Sequence, residues 1–319
     1  MTAVPATRPA EGVPAPPTDG PFDALYDRAV EELLDDPVEE TWVDTRAGRT
    51  HVLLTGDTEA PPVLVLQGGN VTNPVTLSWF QDLADEYRLV APDTPGEPGK
   101  SASEAPDRYG PWVVDVLDAL GLDAVAMVGP SHGAGVLLEA AVEAPERIAA
   151  AVLVVPAGFG TPLSPALARV VLPSLAYRFY PREWLLERAL APMFTDRPSA
   201  VESVVLETVG LALRTGDLEA EFPGPDGPDD LGGFDAPTLV VTAEGDPFFP
   251  GERTAERAAA WLPSLAESVL LAGERHFLSP RGRRTVTRYA RSFLSEHYTG
   301  DVGRITTTTV GSGSSAARR

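Results

Sequence analysis

The chain has 319 residues, 43% of them hydrophobic, with 46 acidic side chains against 25 basic ones and a formal net charge of −21. That length suits one α/β core with an insertion, and so acidic a surface argues against nucleic acid or an anionic membrane as partner, since both need a basic face. The absence of cysteine excludes disulfides, thiol chemistry and thiolate metal sites.

Residues 1–20 carry five prolines and no apolar core, which reads as a disordered leader and not as a secretory signal. No apolar run approaches the roughly 18 residues of a membrane span, and the protein is expected to be cytoplasmic. Phe22 to Leu34 has the pattern of a short amphipathic helix. Thr41–Thr45 and Thr50–Leu54 then read as a hairpin with Ala47-Gly48 in the turn, and His51 as a surface strand position. From Pro62 a strand–helix rhythm begins. Strands are expected over 62–66, 88–91, 124–128 and 149–155, with helices over Leu77–Tyr87, Val113–Leu120 and Ala134–Val142. Such alternation predicts an α/β fold with a doubly wound, mostly parallel sheet of about eight strands.

Within this rhythm, Gly129-Pro130-Ser131-His132-Gly133 fits G-x-S-x-G directly between an apolar strand and a helix. The turn strains the serine backbone, so the flanking positions tolerate almost no side chain. Ser131 thereby lies at a helix N-terminus, where free N–H groups face a developing negative charge. A nucleophilic serine needs a base and an acid. Of the four histidines, His276 follows the strand-like Ser268–Gly273, whereas His297 ends the helical run Arg284–Glu296 near the tail. His276 is the expected base. Asp246 follows the strand-like Pro237–Thr242, thirty residues before His276, and is preferred over Glu244 in the same turn. Acyl transfer also needs oxyanion donors. The Gln67-Gly68-Gly69-Asn70 loop after its strand supplies the Gly69 N–H, with Asn70 as runner-up. The second donor is the N–H of His132.

These motifs resemble the α/β-hydrolase superfamily, and within it the lipase/esterase-like branch with a helical cap, over about residues 40–297. The resemblance also rests on Pro92 to Ser101, which looks like the family's Asp-x-x-Gly-x-Gly-x-Ser loop in a variant similar to bacterial carboxylesterase-type hydrolases. Gln67 stands where many relatives carry His, and His132 where Met, Gln, Tyr or Gly is common. The resemblance implies a serine hydrolase that cleaves a small ester-like substrate through an acyl-enzyme, with no cofactor and no metal. Carbon–carbon bond hydrolysis, perhydrolysis and lyase chemistry can use the same triad, and a receptor-like binding protein can retain it.

Between the sixth and seventh strands the rhythm stops. Helical pieces over Pro165–Tyr177, Arg182–Leu190 and Ala200–Leu213 predict a cap over residues 160–231, leaving 21–159 and 232–298 as the core. Tyr177, Phe179, Tyr180, Trp184, Leu185, Met193 and Phe194 are its candidates for an acyl pocket. Residues 299–319 read as a disordered tail, and oligomeric state is left open.

Overall fold

The structure, a computed structural model, describes residues 20–102, 104–161, 165–216 and 222–300. The expected leader, save Gly20, and the expected tail beyond residue 300 lie outside the described residues. The helix α1 (Asp23–Leu33) precedes a hairpin of β1 (Glu39–Thr45) and β2 (Gly48–Thr55). The alternating part runs β3 (Pro62–Val65), α2 (Asn73–Leu77), β4 (Arg88–Pro92), α3 (Gly110–Leu120), β5 (Val125–Pro130), α4 (His132–Glu143) and β6 (Ile148–Val154). Three helices follow without an intervening strand, α5 (Ala168–Phe179), α6 (Glu183–Leu190) and α7 (Ser203–Thr215). The chain then returns through β7 (Thr238–Ala243), α8 (Gly251–Trp261), β8 (Leu265–Leu271) and α9 (Pro280–His297).

The eight strands form one sheet in the order β1-β2-β4-β3-β5-β6-β7-β8. Only β2 runs antiparallel to its neighbours β1 and β4; every pair from β4 to β8 is parallel. Parallel strands covered on both faces need apolar side chains at every position, and β3, β4, β5 and β7 are buried throughout. Alternate residues then feed two cores. Leu64, Met127, Leu153 and Val240 pack with Trp112, Val116 and Leu137 of α3 and α4 on one face. Val65, Val128, Val154 and Val241 pack with Val286, Ala290 and Phe293 of α9 on the other.

Three expectations need correction. A helix over Leu77–Tyr87 does not form: α2 ends at Leu77, and a separate 3₁₀ turn spans Gln81–Asp85. The buried Leu77, Phe80 and Leu83 recur every third residue, a spacing that suits a threefold turn better than an α-helix. In the hairpin Thr45 pairs with Gly48, so the turn residues are Arg46-Ala47, while Gly48 opens β2 at φ +101°. His51 is no surface residue. It is fully buried, with Tyr26 of α1 and Trp42 of β1 edge-on to its ring. Alternation misleads here because α1 and the segment after β4 cover the face that a lone hairpin would leave wet.

Candidate active site

Sequence alone puts strain at Ser131, and the backbone carries it at φ 51°, ψ −116°. This is the left-handed side of φ space, costly for a residue with a Cβ. The flanking glycines show why the turn closes. A Cβ on Gly129 would meet the Gly133 carbonyl oxygen at 2.4 Å, and one on Gly133 would meet the Leu66 carbonyl oxygen at 2.5 Å. The Ser131 N–H donates to the Val154 carbonyl at 2.9 Å, which ties the elbow to β6.

The ends of β5, β7 and β8 bring Ser131, Asp246 and His276 together, at the C-terminal edge where open parallel sheets form their crevices. His276 Nε2 lies 2.9 Å from Ser131 Oγ, and His276 Nδ1 lies 2.7 Å from Asp246 Oδ2. Both carboxylate oxygens are engaged, since Oδ1 accepts the Phe248 and Phe249 amides at 2.8 and 3.1 Å. Those donors fix the carboxylate plane, and the rings of Phe248 and Phe249 flank the imidazole. Glu244, the other acid of this turn, accepts the Gly273 amide at 2.8 Å and ties the two loops together. His297 closes α9 with its ring against Phe293.

Among the three amides of the Gly68–Asn70 loop, two are occupied. Gly68 N–H donates to Thr76 Oγ1 at 3.0 Å and Asn70 N–H to Glu97 Oε2 at 2.6 Å. Among the described residues the Gly69 and His132 amides have no acceptor. Gly69 lies against the nucleophile's neighbour: a Cβ there would sit 3.2 Å from His132 Cβ. The His132 imidazole is buried edge-on to Tyr109, its Nε2 3.6 Å from Glu97 Oε1. Gln67 takes up the polar groups around the loop, donating to the Val71 and Pro98 carbonyls and accepting from the Thr94 amide.

The cleft at Ser131 and His276 is open to solvent and has Val75, Trp79, Val155 and Phe277 among its walls. The expectation that Tyr177, Phe179, Tyr180, Trp184, Leu185, Met193 and Phe194 line it fails, since none of them is among its walls. Phe179, Tyr180 and Trp184 are 75%, 71% and 62% exposed. Phe194 is buried and stacks on Phe277 at 4.2 Å, while the Phe277 amide donates to the Met193 carbonyl. The histidine loop is thus held from the insertion side, a contact for which the sequence carries no local signal. Among the described residues no group of His, Asp and Glu is disposed to hold a metal ion.

Comparison with known proteins places this geometry in a family context. Residues 61–181 match the family described as alpha/beta hydrolase fold. The chain is 27% identical over 285 residues to carboxylesterase YbfK of Bacillus subtilis, covering 86% of this chain and 93% of that protein. It is 28% identical over 271 residues to a haloalkane dehalogenase of Mycolicibacterium paratuberculosis, covering 82% of this chain and 80% of that protein. The crystal structure of naproxen esterase (carboxylesterase NP) from Bacillus subtilis superimposes with a TM-score of 0.73 at 23% identity, over 86% of this chain and 96% of that one.

Proposed function

We propose that this chain, a carboxylesterase-like protein of the α/β-hydrolase fold, is a serine hydrolase that cleaves small ester-like substrates through an acyl-enzyme. The observation that supports it most is the unbroken line Asp246–His276–Ser131, at 2.7 and 2.9 Å, ending on a strained serine. His276 takes the Ser131 proton as Oγ attacks the ester carbonyl, and Asp246 holds the imidazole tautomer and steadies the imidazolium. The Gly69 and His132 amides receive the oxyanion. The tetrahedral intermediate collapses, His276 returns its proton to the departing alkoxide, and the acyl group stays on Ser131. Water, deprotonated by His276, then attacks the acyl-enzyme, and as the second tetrahedral intermediate collapses His276 returns the proton to Ser131 Oγ and the acid leaves.

A serine at the elbow separates this reading from displacement by a carboxylate nucleophile. The reading makes α5–α7 a cap, with the acyl group seated against Val75, Trp79 and Phe277 at the core's edge. Its partner is a small ester and not nucleic acid, which the net charge of −21 repels. No helix among the described residues is long and apolar enough to cross a membrane, and residence in the cytoplasm is part of this reading.

The test is hydrolysis of p-nitrophenyl esters of graded chain length, with Ser131→Ala as control and a fluorophosphonate probe followed by mass spectrometry. Turnover that disappears in Ser131→Ala, with the probe on Ser131, supports the proposal. Equal turnover by Ser131→Ala, or a probe that labels another residue, would end it.

A further inference from the structure

The Gly68–Asn70 loop carries three amides beside the cleft, and two of them are committed to side-chain acceptors. Thr76 holds the first. The third is held by Glu97, whose carboxylate reaches the Asn70 N–H at 2.6 Å from the loop that follows β4. Asn70 is left-handed, at φ +59°. That conformation is costly for most residues with a Cβ, and the short bond to the Glu97 carboxylate holds Asn70 in it. The other oxygen of Glu97 lies 3.6 Å from His132 Nε2. One carboxylate therefore binds the backbone of the loop after β3 through the Asn70 amide and lies beside the imidazole of the first residue of α4. The segment bearing Glu97 is itself clasped, because Gln67 accepts from the Thr94 amide and donates to the Pro98 carbonyl, each at 2.8 Å.

We propose that Glu97 is a positioning residue: by holding the Asn70 N–H and standing against His132, it leaves Gly69 as the one loop amide presented to the substrate carbonyl and fixes its spacing from the His132 amide. The inference rests on the serine-hydrolase reading above. A carboxylate this close to a developing oxyanion opposes the reaction by charge repulsion. Its benefit must therefore lie in the geometry it enforces.

The experiment compares Glu97→Ala, Glu97→Gln and Glu97→Asp in the full chain. It reads kcat and KM on p-nitrophenyl acetate and the affinity for a trifluoromethyl ketone, whose adduct carries the oxyanion. Losing one donor outright costs about 10²–10³ in kcat, and a misplaced donor should cost about 10- to 100-fold. Glu97→Ala should therefore lower kcat by that factor and weaken the ketone in parallel, with KM within about twofold. Glu97→Gln keeps an oxygen that accepts the Asn70 N–H and should restore most of kcat. Glu97→Asp, one methylene short, should fall between them and decides the case if the alanine variant does not fold. Wild-type kcat and ketone affinity in Glu97→Ala or Glu97→Asp, or a loss confined to KM, would overturn the assignment. Ser131→Ala with undiminished turnover would instead remove the reading beneath it.

Discussion

At the scale of single residues, the triad geometry makes a sharp demand. Ser131, His276 and Asp246 form one hydrogen-bonded unit, and members of such a unit fail together. Ser131→Ala or His276→Ala should reduce ester turnover by about 10⁴-fold or more. Asp246→Asn should cost somewhat less, because the Phe248 and Phe249 amides still hold the remaining oxygen. Single-turnover and steady-state assays on p-nitrophenyl acetate check all three. A fully active His276→Ala enzyme with an inactive His297→Ala counterpart would make His297 the base. The elbow glycines supply a second residue-scale prediction. A Cβ at Gly133 would stand 2.5 Å from the Leu66 carbonyl oxygen, and backbone cannot move aside as a flexible side chain does. Gly133→Ala should thus lower the melting temperature and abolish fluorophosphonate labelling. A variant that keeps both would show that the turn tolerates a wider approach.

At the scale of elements, α5–α7 bury part of their surface in a third apolar cluster. The insertion's buried side chains Leu190, Phe194, Val204, Val205 and Val209 form a cluster with Ala29, Val71 and Val75, apart from the two cores that sandwich the sheet. Replacing residues 165–216 with a Gly/Ser linker should therefore leave a folded but less stable core. Val71 and Val75, which border the cleft, would then face water. Discrimination among acyl chain lengths should flatten while some acetate-ester activity survives, as thermal melts and a chain-length series would show. Complete unfolding would place the segment in the main core. What the sequence made legible at this scale followed from continuity. Each of Ser131, Asp246 and His276 follows a stretch that reads as a strand, so their arrival at one edge of the sheet was legible in chain order. Local spacing failed where a long-range neighbour decides. The segment after Leu77 follows a period of three set by what lies beneath it. Phe179, Tyr180 and Trp184 looked like pocket residues by type, but helix phase turns them outward. The Glu97–Asn70 contact joins loops 27 residues apart and leaves no mark in either loop's own pattern.

At the scale of the whole molecule, His51 sits buried among carboxylates at the antiparallel edge of the sheet of an acidic chain. His51 Nδ1 lies 3.1 Å from Asp93 Oδ2, and its Nε2 lies 2.9 Å from Glu40 Oε2. Tyr26 donates to the other Asp93 oxygen at 2.8 Å, the Lys100 amide donates to Asp93 Oδ2, and Ser101 Oγ accepts the His51 amide. Burial alone would push the imidazole pKa down. The Asp93 charge and the hydrogen bonds to Asp93 and Glu40 outweigh it and hold the pKa up at about 9. The hydrogen bond from His51, against the opposing pull of burial, draws Glu40 down to about 2. The raised histidine contributes stability that is complete below its unfolded pKa of about 6.5 and is lost as pH rises through about 9. The depressed glutamate contributes stability present above its ordinary value of 4.5 and lost as pH falls through about 2. The cluster therefore stabilises most between about pH 4.5 and 6.5, and the melting temperature should decline from there toward pH 9. Surface repulsion in a chain of net charge −21 also grows with pH, so the decline alone would not identify His51. Salt separates the two contributions. At about 1 M salt the screening length falls to about 3 Å, which quenches surface repulsion but reaches buried pairs far less. In 1 M NaCl the wild-type chain should still lose stability between pH 6.5 and 9, whereas His51→Gln should be less stable at pH 6 and nearly flat across that interval. Equal slopes for the two proteins in high salt would show that the buried histidine does not carry a proton in the folded state.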